Sequence, residues 1–521
     1  MKLNIAENFS SLRSKTEPFV PSFLLSKHVV FLLLNLSTSL DLFNVTSLLV
    51  STEYVSKHYD VTPAVASWTL SSYAIAFAGF IAFFGRTGDI IGHDFQFIVM
   101  VFLFSVISLL CAVVDNIYAF ISLRGLQGVF AAGLIPTNYA ITANIYQGKQ
   151  LSTAITILTG TISMSRALGL VIGGAFLRTD LAIHGVAYVS FAIAMSISVF
   201  AFFTFPVIKT TSKDKLKDLD YIGSGILISG LLLVIVGFTE GGESWKSPKS
   251  YVTLVVGVFL TGVFFLYEKF LCLRLNESTH LLIPPQMWSI PNYAPLTINA
   301  VLNYAGFFGA MYINVSYFLN MDHDSPLMSG VRYLPFVIAL IAISYILTFT
   351  NGKFSQKWTC VTGLVVGFIG LILLTRVNYK TPNHYWKFSV TNQILTALGS
   401  CIYFVNYLNI IIHSAPLELQ GIATGIAQTF GQFGVALAFA VITSILGDFQ
   451  NLDVETLNKR YEYGSWFCVA CYGAGIILLV LFVKDTKVKE KMHNEEKSVL
   501  EQKSEVAGTE LDQLYSQDTT V

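Results

Sequence analysis

Residues 85–94 read GRTGDIIGHD and lie between two long apolar runs, AVASWTLSSYAIAFAGFIAFF before them and FQFIVMVFLFSVISLLCAVV after them. Each run is long enough to cross a bilayer core as a helix, which takes about 20 residues. The stretch predicts a tight connection between two membrane helices, in which Gly85 and Gly88 allow the chain to reverse and Gly92 lets another helix approach. Asp89 is expected near the start of the following helix, where the helix dipole favours a carboxylate.

The composition of the whole chain agrees with this interpretation. Of its 521 residues, 54% are hydrophobic and 12% are charged, the mean hydropathy is +0.62 and the formal net charge is zero. Soluble proteins average about 25% charged residues, so the composition predicts an integral protein of the lipid bilayer. A net charge of zero gives no indication of a nucleic-acid partner.

Apolar runs of membrane-spanning length occur fourteen times. They predict an all-α fold with spans at 28–50, 65–84, 95–114, 116–140, 151–175, 183–206, 221–239, 251–268, 292–318, 328–349, 358–375, 388–411, 421–446 and 463–483. An even number of spans places both termini on one side. The segments on that side hold 20 Lys and Arg residues and the opposite loops hold nine, which predicts cytosolic termini.

A polar segment, VIKTTSKDKLKDLD, divides the spans into six and eight, and two of the eight are predicted to be an inserted pair. The expected order is a cytosolic N-tail (1–27), an N-terminal six-helix bundle (28–206), a cytosolic linker (207–220), an inserted helix pair with its loop (221–287), a C-terminal six-helix bundle (288–484) and a disordered cytosolic C-tail (485–521).

Three charged residues are predicted inside the spans at a similar depth. Asp41, Arg166 and Arg124 lie about 20, 22 and 24 Å from the inner ends of their helices at 1.5 Å per residue. A charge within a span costs on the order of a few kcal/mol, so it should face a cavity or a partner. We expect Asp41 to pair with an arginine and carry a proton, and the arginines to hold an anionic or carbonyl-bearing substrate or to gate the acid. The alternative is a structural ion network without substrate contact.

The later spans contain amides and rings in place of charges. Asn303 and Asn406 are candidates for the central cavity, although amides at this depth commonly bond neighbouring helices instead. In the fifth span Ser165, Gly169 and Gly173 are four residues apart and share one helix face, which predicts a packing surface of small residues.

Several short patterns, in chain order, resemble the major facilitator superfamily, and within it the fourteen-span drug:proton antiporters. Gly85, Asp89 and Gly92 are similar to that family's G-x-x-x-D-x-x-G signature between the second and third spans. Further matches are Leu40-Asp41, Trp68 with Tyr73, Arg124-Gly-Leu-Gln-Gly128, Leu219-Asp-Tyr-Ile-Gly223, Ser325-Pro326 with Gly330–Pro335, and Pro416-x-Glu418 with Gly421–Gly425. The sequence DIIGH at residues 89–93 most resembles that of fungal members akin to aminotriazole and boron resistance proteins.

The resemblance implies the major facilitator fold, in which two six-helix bundles alternate access to a central site. It also implies a hinge function for the stretch 85–94 and a proton gradient as the energy source. Trp68 and Tyr73 would lie at the central cavity, with a core or interface position as the alternative. The chain departs from the family at His93 and Asp94, where basic residues are usual, and at Leu170, where the family has a proline that kinks the fifth span.

The function expected from the resemblance is export of a drug, toxin or small solute by a monomer in the plasma membrane, or in the vacuolar membrane. The missing proline makes an importer or facilitator of a small inorganic or nitrogenous solute, such as borate or ammonium, the alternative. A membrane enzyme or a sensor is a different class. The chain lacks the H-E-x-x-H, G-x-S-x-G, paired-cysteine metal-site and nucleotide-loop patterns, and Cys468-Val-Ala-Cys471 lies within an apolar span, so we expect no enzyme, no cofactor and no metal.

Overall fold

The computed structural model describes residues 21, 25–146, 148–205, 219–241, 244–275, 281–283, 286–350, 355–415, 420–447 and 452–485. Nearly all of the two predicted tails, most of the predicted linker and the match at 416–418 lie outside these ranges.

Helices account for nearly all of the described chain, and no β-strand occurs within it. They are α1 (Lys27–Leu49), α2 (Thr52–His58), α3 (Pro63–Ile91), α4 (His93–Val113), α5 (Ile117–Ile145), α6 (Gly148–Phe176), α7 (Ala182–Thr204), α8 (Tyr221–Gly241), α9 (Pro248–Leu275), α10 (Gln286–Ser289), α11 (Tyr293–Asn320), α12 (Pro326–Arg332), α13 (Leu334–Thr350), α14 (Gln356–Leu374), α15 (Val390–Ser414), α16 (Gln420–Leu446) and α17 (Val454–Phe482). A π-helical turn, Tyr385–Ser389, leads into α15.

Fourteen helical segments of the described chain are long and apolar enough to cross a membrane. Each predicted span corresponds to one of them, which confirms the all-α fold with fourteen spans. The largest difference is in α17, which begins at Val454 rather than at 463. It begins there because Asp453 caps the helix, accepting a hydrogen bond of 3.0 Å from the Thr456 amide.

The connection between the second and third spans is shorter than predicted. α3 continues to Ile91, and the chain reverses at Gly92 alone, whose φ of 99° favours glycine. The predicted reversal at Gly85 and Gly88 is therefore wrong, since both lie within the helix. A glycine inside a helix costs only about 1 kcal/mol relative to alanine, which the backbone hydrogen bonds of a membrane helix can offset.

Asp89 lies in the last turn of α3 and not at the start of the next helix, which corrects a second detail. Asp94 takes that position, in the first turn of α4. Asp89 instead contacts the ring of His93, with 3.1 Å between Oδ1 and Nε2. A Cβ at Gly88 would lie 2.5 Å from that ring, so the glycine makes room for the histidine beside the acid.

Small residues let α6 lie directly on α1. A Cβ at Gly169 would lie 2.1 Å from Oγ1 of Thr46, and one at Gly173 would lie 2.5 Å from the carbonyl oxygen of Ser47. Ser165 is buried, but its hydroxyl donates to a carbonyl of its own helix. The two glycines thus set the distance between the first and fifth spans.

At the end of the bundle where α6 stops, α6 packs against α12, and we call this contact the distal seam. A Cβ at Gly174 would lie 2.7 Å from the backbone of Leu327, and one at Gly330 would lie 2.8 Å from the carbonyl oxygen of Leu170. Backbone therefore meets backbone across the seam. α6 runs without a break through Leu170, where the resembling family has its proline.

The two helices of the inserted pair, α8 and α9, pack against each other at glycines. A Cβ at Gly257 would lie 2.5 Å from the Val234 amide nitrogen. α8 also contacts α3 near Gly79, where an added Cβ would lie 3.3 Å from the side chain of Ile228. Most of α9 faces outward, as expected for a lipid-exposed helix. The grouping of the spans as six, two and six remains a prediction.

Candidate functional site

A cavity of about 60 Å³ lies in the middle of the helices and is lined from both halves of the chain. One water molecule takes about 30 Å³, and sites for drug-sized ligands measure about 300–1,000 Å³. The structure therefore holds this site in a closed form. Its lining residues are Thr38, Asp41, Leu42, Ile135, Tyr139, Ile162, Arg166, Tyr304, Phe307, Phe308, Leu340, Ser400, Cys401, Phe404, Leu408, Gln428 and Gln432.

Asp41 presents a buried carboxylate to this cavity, with 8% of the residue exposed. Its Oδ1 accepts a hydrogen bond of 2.6 Å from the Tyr73 hydroxyl. No ion pair joins Asp41 to a cation among the residues that the structure describes, so the predicted pairing with an arginine is wrong. The phenol of Tyr73 instead contacts the acid through its hydroxyl and Arg124 through its ring, and this position keeps the two charges apart.

Arg124 lies behind Tyr73, fully buried, with its guanidinium carbon 4.5 Å from the centre of the ring. Its Nε donates to a carbonyl of α3, and its Nη1 donates to Gln127. Gln127 in turn donates to the hydroxyl of Ser108 at 2.7 Å. We call Asp41, Tyr73, Arg124, Gln127 and Ser108 the Tyr73 network. Neither Arg124 nor Tyr73, both predicted at the central cavity, is among the residues that line it.

Gly128 explains how α5 comes close enough to α3 for this network. A Cβ at Gly128 would lie 2.4 Å from the backbone carbonyl oxygen of Tyr73. Residues three and four apart share a helix face, so Arg124 and Gly128 both lie against α3, while the side chain of Gln127 reaches Ser108 of α4. The R-x-x-Q-G pattern thus supplies a cation, a partner for that cation and the space that both require.

Arg166 is the second buried arginine, 6% exposed, and it lines the cavity directly. Its guanidinium carbon lies 4.6 Å from the ring centre of Phe307 and 4.9 Å from that of Phe308. Its Nε has no hydrogen-bond partner, and no carboxylate pairs with it within the described ranges. We call Arg166 with these two rings the Arg166 pocket.

An aromatic wall from the C-terminal helices completes the cavity. Phe404 makes edge contacts with Tyr304, at 4.8 Å between ring centres, and with Phe307, at 5.8 Å. The Tyr304 hydroxyl donates to Gln428 Oε1 at 2.7 Å. The wall is neutral, and among the described lining residues the charges are Asp41 of α1 and Arg166 of α6.

Three predicted cavity residues lie elsewhere. Trp68 is half-buried and packs at the contact of α3 with α8 and α16. Asn303 is buried beside Tyr472, and Asn406 donates to the carbonyl of Ile402 in its own helix. None of the three lines the cavity, and both polar side-chain atoms of Asn303 are buried without a hydrogen-bond partner among the described residues.

Several residues that line the cavity are not indicated by the sequence, chiefly Phe307, Phe308 and Phe404. The chain contains 41 phenylalanines, so a ring that faces the cavity cannot be told from one that faces lipid or core. A weaker signal for this wall is present in the sequence, namely the polar side chains of Tyr304 and Gln428 inside otherwise apolar spans.

In the described part of the chain, fourteen helices long and apolar enough to cross a membrane surround a small central cavity, an architecture typical of helical membrane transporters. The family model of the Major Facilitator Superfamily matches residues 32–348 and 296–513. The chain therefore belongs to the major facilitator superfamily, and it is a transporter rather than an enzyme.

Two relatives and one solved structure illustrate the similarity. The puromycin resistance protein pur8 of Streptomyces alboniger is 26% identical over 75% of this chain and 76% of its own length. The low affinity ammonium transporter of Saccharomyces cerevisiae is 24% identical over 83% of each chain. The human organic anion transporter MFSD10 superposes with a TM-score of 0.60 at 13% identity, covering 88% of this chain and all of the other. This last likeness shows the fold alone.

Proposed function

We propose that this chain is a secondary active transporter that exports a small molecule and couples its movement to a proton carried by Asp41. The observation that carries the proposal is the position of this carboxyl. It lines the cavity between the two halves, it has no paired cation among the described residues, and a single phenol contacts it. Ionisable groups inside a membrane commonly mark proton and substrate pathways.

The Tyr73 network offers a way for the proton to change the protein. When Asp41 loses its charge, the hydrogen bond from Tyr73 is no longer charge-assisted and weakens. The same phenol ring covers Arg124, so a shift of Tyr73 would change the surroundings of a second buried charge. Alternating access then requires the distal seam to open while the other end closes.

The proposed direction, membrane and oligomeric state follow from the resemblance and the relatives. A relative that carries a resistance name supports export, and the fourteen-span drug:proton antiporters are the proposed subgroup, with fungal members akin to aminotriazole and boron resistance proteins as its nearest kin. We propose a monomer in the plasma membrane, or alternatively the vacuolar membrane, with both termini in the cytosol and protons and a small molecule as its partners. Gly85, Asp89 and Gly92 keep their proposed hinge function.

Uptake or facilitated movement of a small solute such as borate or ammonium is the second candidate. Two observations favour it: a relative is named an ammonium transporter, and α6 is unbroken at Leu170. A proline there would remove a backbone hydrogen bond and kink the helix. Without the kink, the fifth span lacks a feature of the antiporters that the chain resembles.

The test is a transport assay in a yeast-like host that overproduces the wild-type chain, Asp41→Asn or Asp115→Asn. Asp115 is an exposed acid between α4 and α5, and its substitution is the matched control. Cells are scored at two external pH values with azoles, dyes, borate and methylammonium, for their tolerance of each compound and for its internal concentration.

Resistance with a lower internal concentration supports export, and loss of the pH dependence of transport in Asp41→Asn alone supports the proton function. Full, still pH-dependent transport by Asp41→Asn would exclude that function, and raised internal content would favour uptake.

A further inference from the structure

We infer that the substrate is a small organic anion whose carboxylate binds Arg166 and whose apolar part lies against Phe307, Phe308 and Phe404. The inference rests on the cavity and the Asp41 proton function of the proposed function, and it names a class of substrate for that cavity. It depends on the hydrogen bonding of Arg166 and on the side chains that surround this residue.

The Arg166 pocket holds a cation that the protein leaves incompletely satisfied. A guanidinium carries five N–H donors, yet Nε of Arg166 has no hydrogen-bond partner and the contacts of the group are with ring faces. Ring faces attract a cation but cannot accept the directed hydrogen bonds that a carboxylate can. A carboxylate in the cavity would supply these acceptors, and Arg166 is already buried and positioned to meet it.

The charges around the cavity favour an anion over a cation. With Asp41 ionised, Asp41, Arg166 and Arg124 sum to one positive charge. The ring faces of Phe307 and Phe308 could otherwise bind an ammonium ion, but the guanidinium of Arg166 already covers them. A cationic substrate would therefore meet a like charge on the surface that should recognise it.

The remaining lining describes the rest of the molecule. Eight of the 17 lining residues carry polar or charged side chains, and the others include the phenylalanine rings and aliphatic side chains of α1, α5, α6, α13 and α15. Inorganic oxyanions would leave this apolar surface without a partner, whereas a carboxylate on a planar apolar body would cover it. The cavity of about 60 Å³ in the closed form limits the ligand to a small one unless the halves separate.

The same charges fix the sign of coupling between anion and proton. The titratable or charged groups that face Asp41 are Tyr73, Arg124, Arg166 and Tyr304. Protonation of Asp41 removes the negative charge from this set, so a neighbouring anion is held more tightly and not less. Proton and anion would thus bind together, which favours their movement in one direction and departs from the exchange of a proton for an exported molecule.

The test is direct binding to the purified full-length chain in lipid nanodiscs, by calorimetry, with sodium benzoate, methylammonium chloride and sodium nitrate as probes. The proteins are the wild type, Arg166→Gln, Arg166→Lys and Arg376→Gln. Arg376 is exposed and controls for the loss of one positive charge. We expect benzoate to bind the wild type and Arg376→Gln equally, and Arg166→Gln to bind it roughly tenfold or more weakly, as for the loss of a hydrogen bond to a charged group. Arg166→Lys should recover part of the affinity.

The outcomes separate this inference from the proposed function. Stronger binding of methylammonium than of benzoate, no benzoate binding to folded wild type, or equal benzoate binding by Arg166→Gln would each overturn the inference. Binding of nitrate as tightly as benzoate would contradict the apolar part of it. Asp41→Asn mimics the protonated acid and should bind benzoate at least as well as the wild type, with no pH dependence. If it does so while its transport stays pH-dependent, the proton function fails and the anion site stands.

Discussion

Arg124 and Arg166 are both buried in the membrane-spanning part of the chain, but their surroundings differ. Arg124 donates to a carbonyl of α3 and to Gln127 and lies over the ring of Tyr73, and its Nη2 alone is buried without a partner among the described residues. Arg166 contacts two phenylalanine rings, and its buried Nε has no partner among the described residues. The first region holds a charge in a fixed hydrogen-bonded network, whereas the second leaves a charge ready for a ligand. A buried arginine can therefore be structural or functional, and its hydrogen bonds distinguish the two.

The largest effect on the free energy of unfolding should come from exchanging Arg124 for glutamine, and the same exchange at Arg166 should have a small one. Arg124→Gln should lower the free energy of unfolding by about 3 kcal/mol or more, because the buried hydrogen-bond acceptors of the guanidinium lose their donor. Arg166→Gln should change it by less than about 1 kcal/mol, or raise it, because an incompletely paired buried charge is removed. Thermal unfolding of the purified variants, with Arg376→Gln as control, measures both. Equal destabilisation by the two substitutions would mean that the two regions hold their charges in the same way.

A second test acts on the space that the Tyr73 network needs. Gly128→Ala would place a methyl group 2.4 Å from the Tyr73 carbonyl oxygen, whereas at Gly125, on the same helix, the nearest atom is 3.9 Å away. We expect Gly128→Ala to cost about 1–3 kcal/mol through overpacking. Gly125→Ala should be neutral or stabilising by up to about 1 kcal/mol, because alanine favours the helix. The measurement is the unfolding midpoint of the two variants. A midpoint of Gly128→Ala equal to that of the wild type would show that α3 and α5 can move apart without a loss of stability.

The fold can be predicted in nearly all its parts because it depends on an average property. About twenty apolar residues in a row make a span whatever their order, so each of the fourteen spans is visible in the sequence. The reversal at Gly92 is harder to place, because three glycines in one short stretch look alike in a sequence. What separates Gly92 from Gly85 and Gly88 is its positive φ, which is a property of the packed chain.

The site can be predicted less completely, for two physical reasons. Charges inside spans are rare and conspicuous, so Asp41, Arg124 and Arg166 are identifiable as one polar region. Their partners are not, since the contact of Tyr73 with Asp41 through its hydroxyl and with Arg124 through its ring depends on rotamers and helix rotation that no spacing encodes. Phe307 and Phe308 escape prediction because a phenylalanine looks the same in a sequence whether it faces a cavity, the core or lipid.

A third prediction compares two tyrosine hydroxyls, that of Tyr304, which lines the cavity, and that of Tyr73, which contacts the lining residue Asp41. Tyr73 donates to a carboxylate and Tyr304 donates to the neutral amide of Gln428. Hydrogen bonds to charged groups contribute about 1.5–3 kcal/mol and neutral ones about 0.5–1.5 kcal/mol. Tyr73→Phe should therefore destabilise the chain more than Tyr304→Phe, while keeping the ring over Arg124.

The two tyrosine variants also separate coupling from packing. Tyr73→Phe should alter the pH profile of transport, because it removes a contact of Asp41, and Tyr304→Phe should leave that profile as in the wild type. The measurement is the rate of transport into or out of proteoliposomes across a pH series. An unaltered profile in Tyr73→Phe, with a shifted one in Tyr304→Phe, would place the coupling group on the aromatic wall instead.

The smallest effect is expected near the distal seam, where two acids contact Arg332. One of them is hydrogen-bonded and the other is not, so they repeat the difference between the two buried arginines. Asp322 accepts a hydrogen bond of 2.7 Å from Arg332 and contacts His384 at 3.1 Å. Asp324 Oδ2 lies 2.8 Å from Arg332 but without hydrogen-bonding geometry. Asp322→Asn should cost about 1 kcal/mol, as for a partly exposed ion pair, and Asp324→Asn should cost less.

The pH dependence gives the sign of the Asp324 effect. Desolvation raises the pKa of the Asp324 carboxyl above its ordinary value, against the opposing effect of Arg332. A group whose folded-state pKa is raised stabilises the fold below its ordinary pKa, and this contribution is lost as the pH rises through the raised value. The wild type should thus lose some thermal stability over that mildly acidic window, and Asp324→Asn should not. Asp324→Asn could instead lose more thermal stability at neutral pH than Asp322→Asn. In that case the number of hydrogen bonds does not show how well a charged group is stabilised, and the same argument for Arg124 and Arg166 loses its independent support.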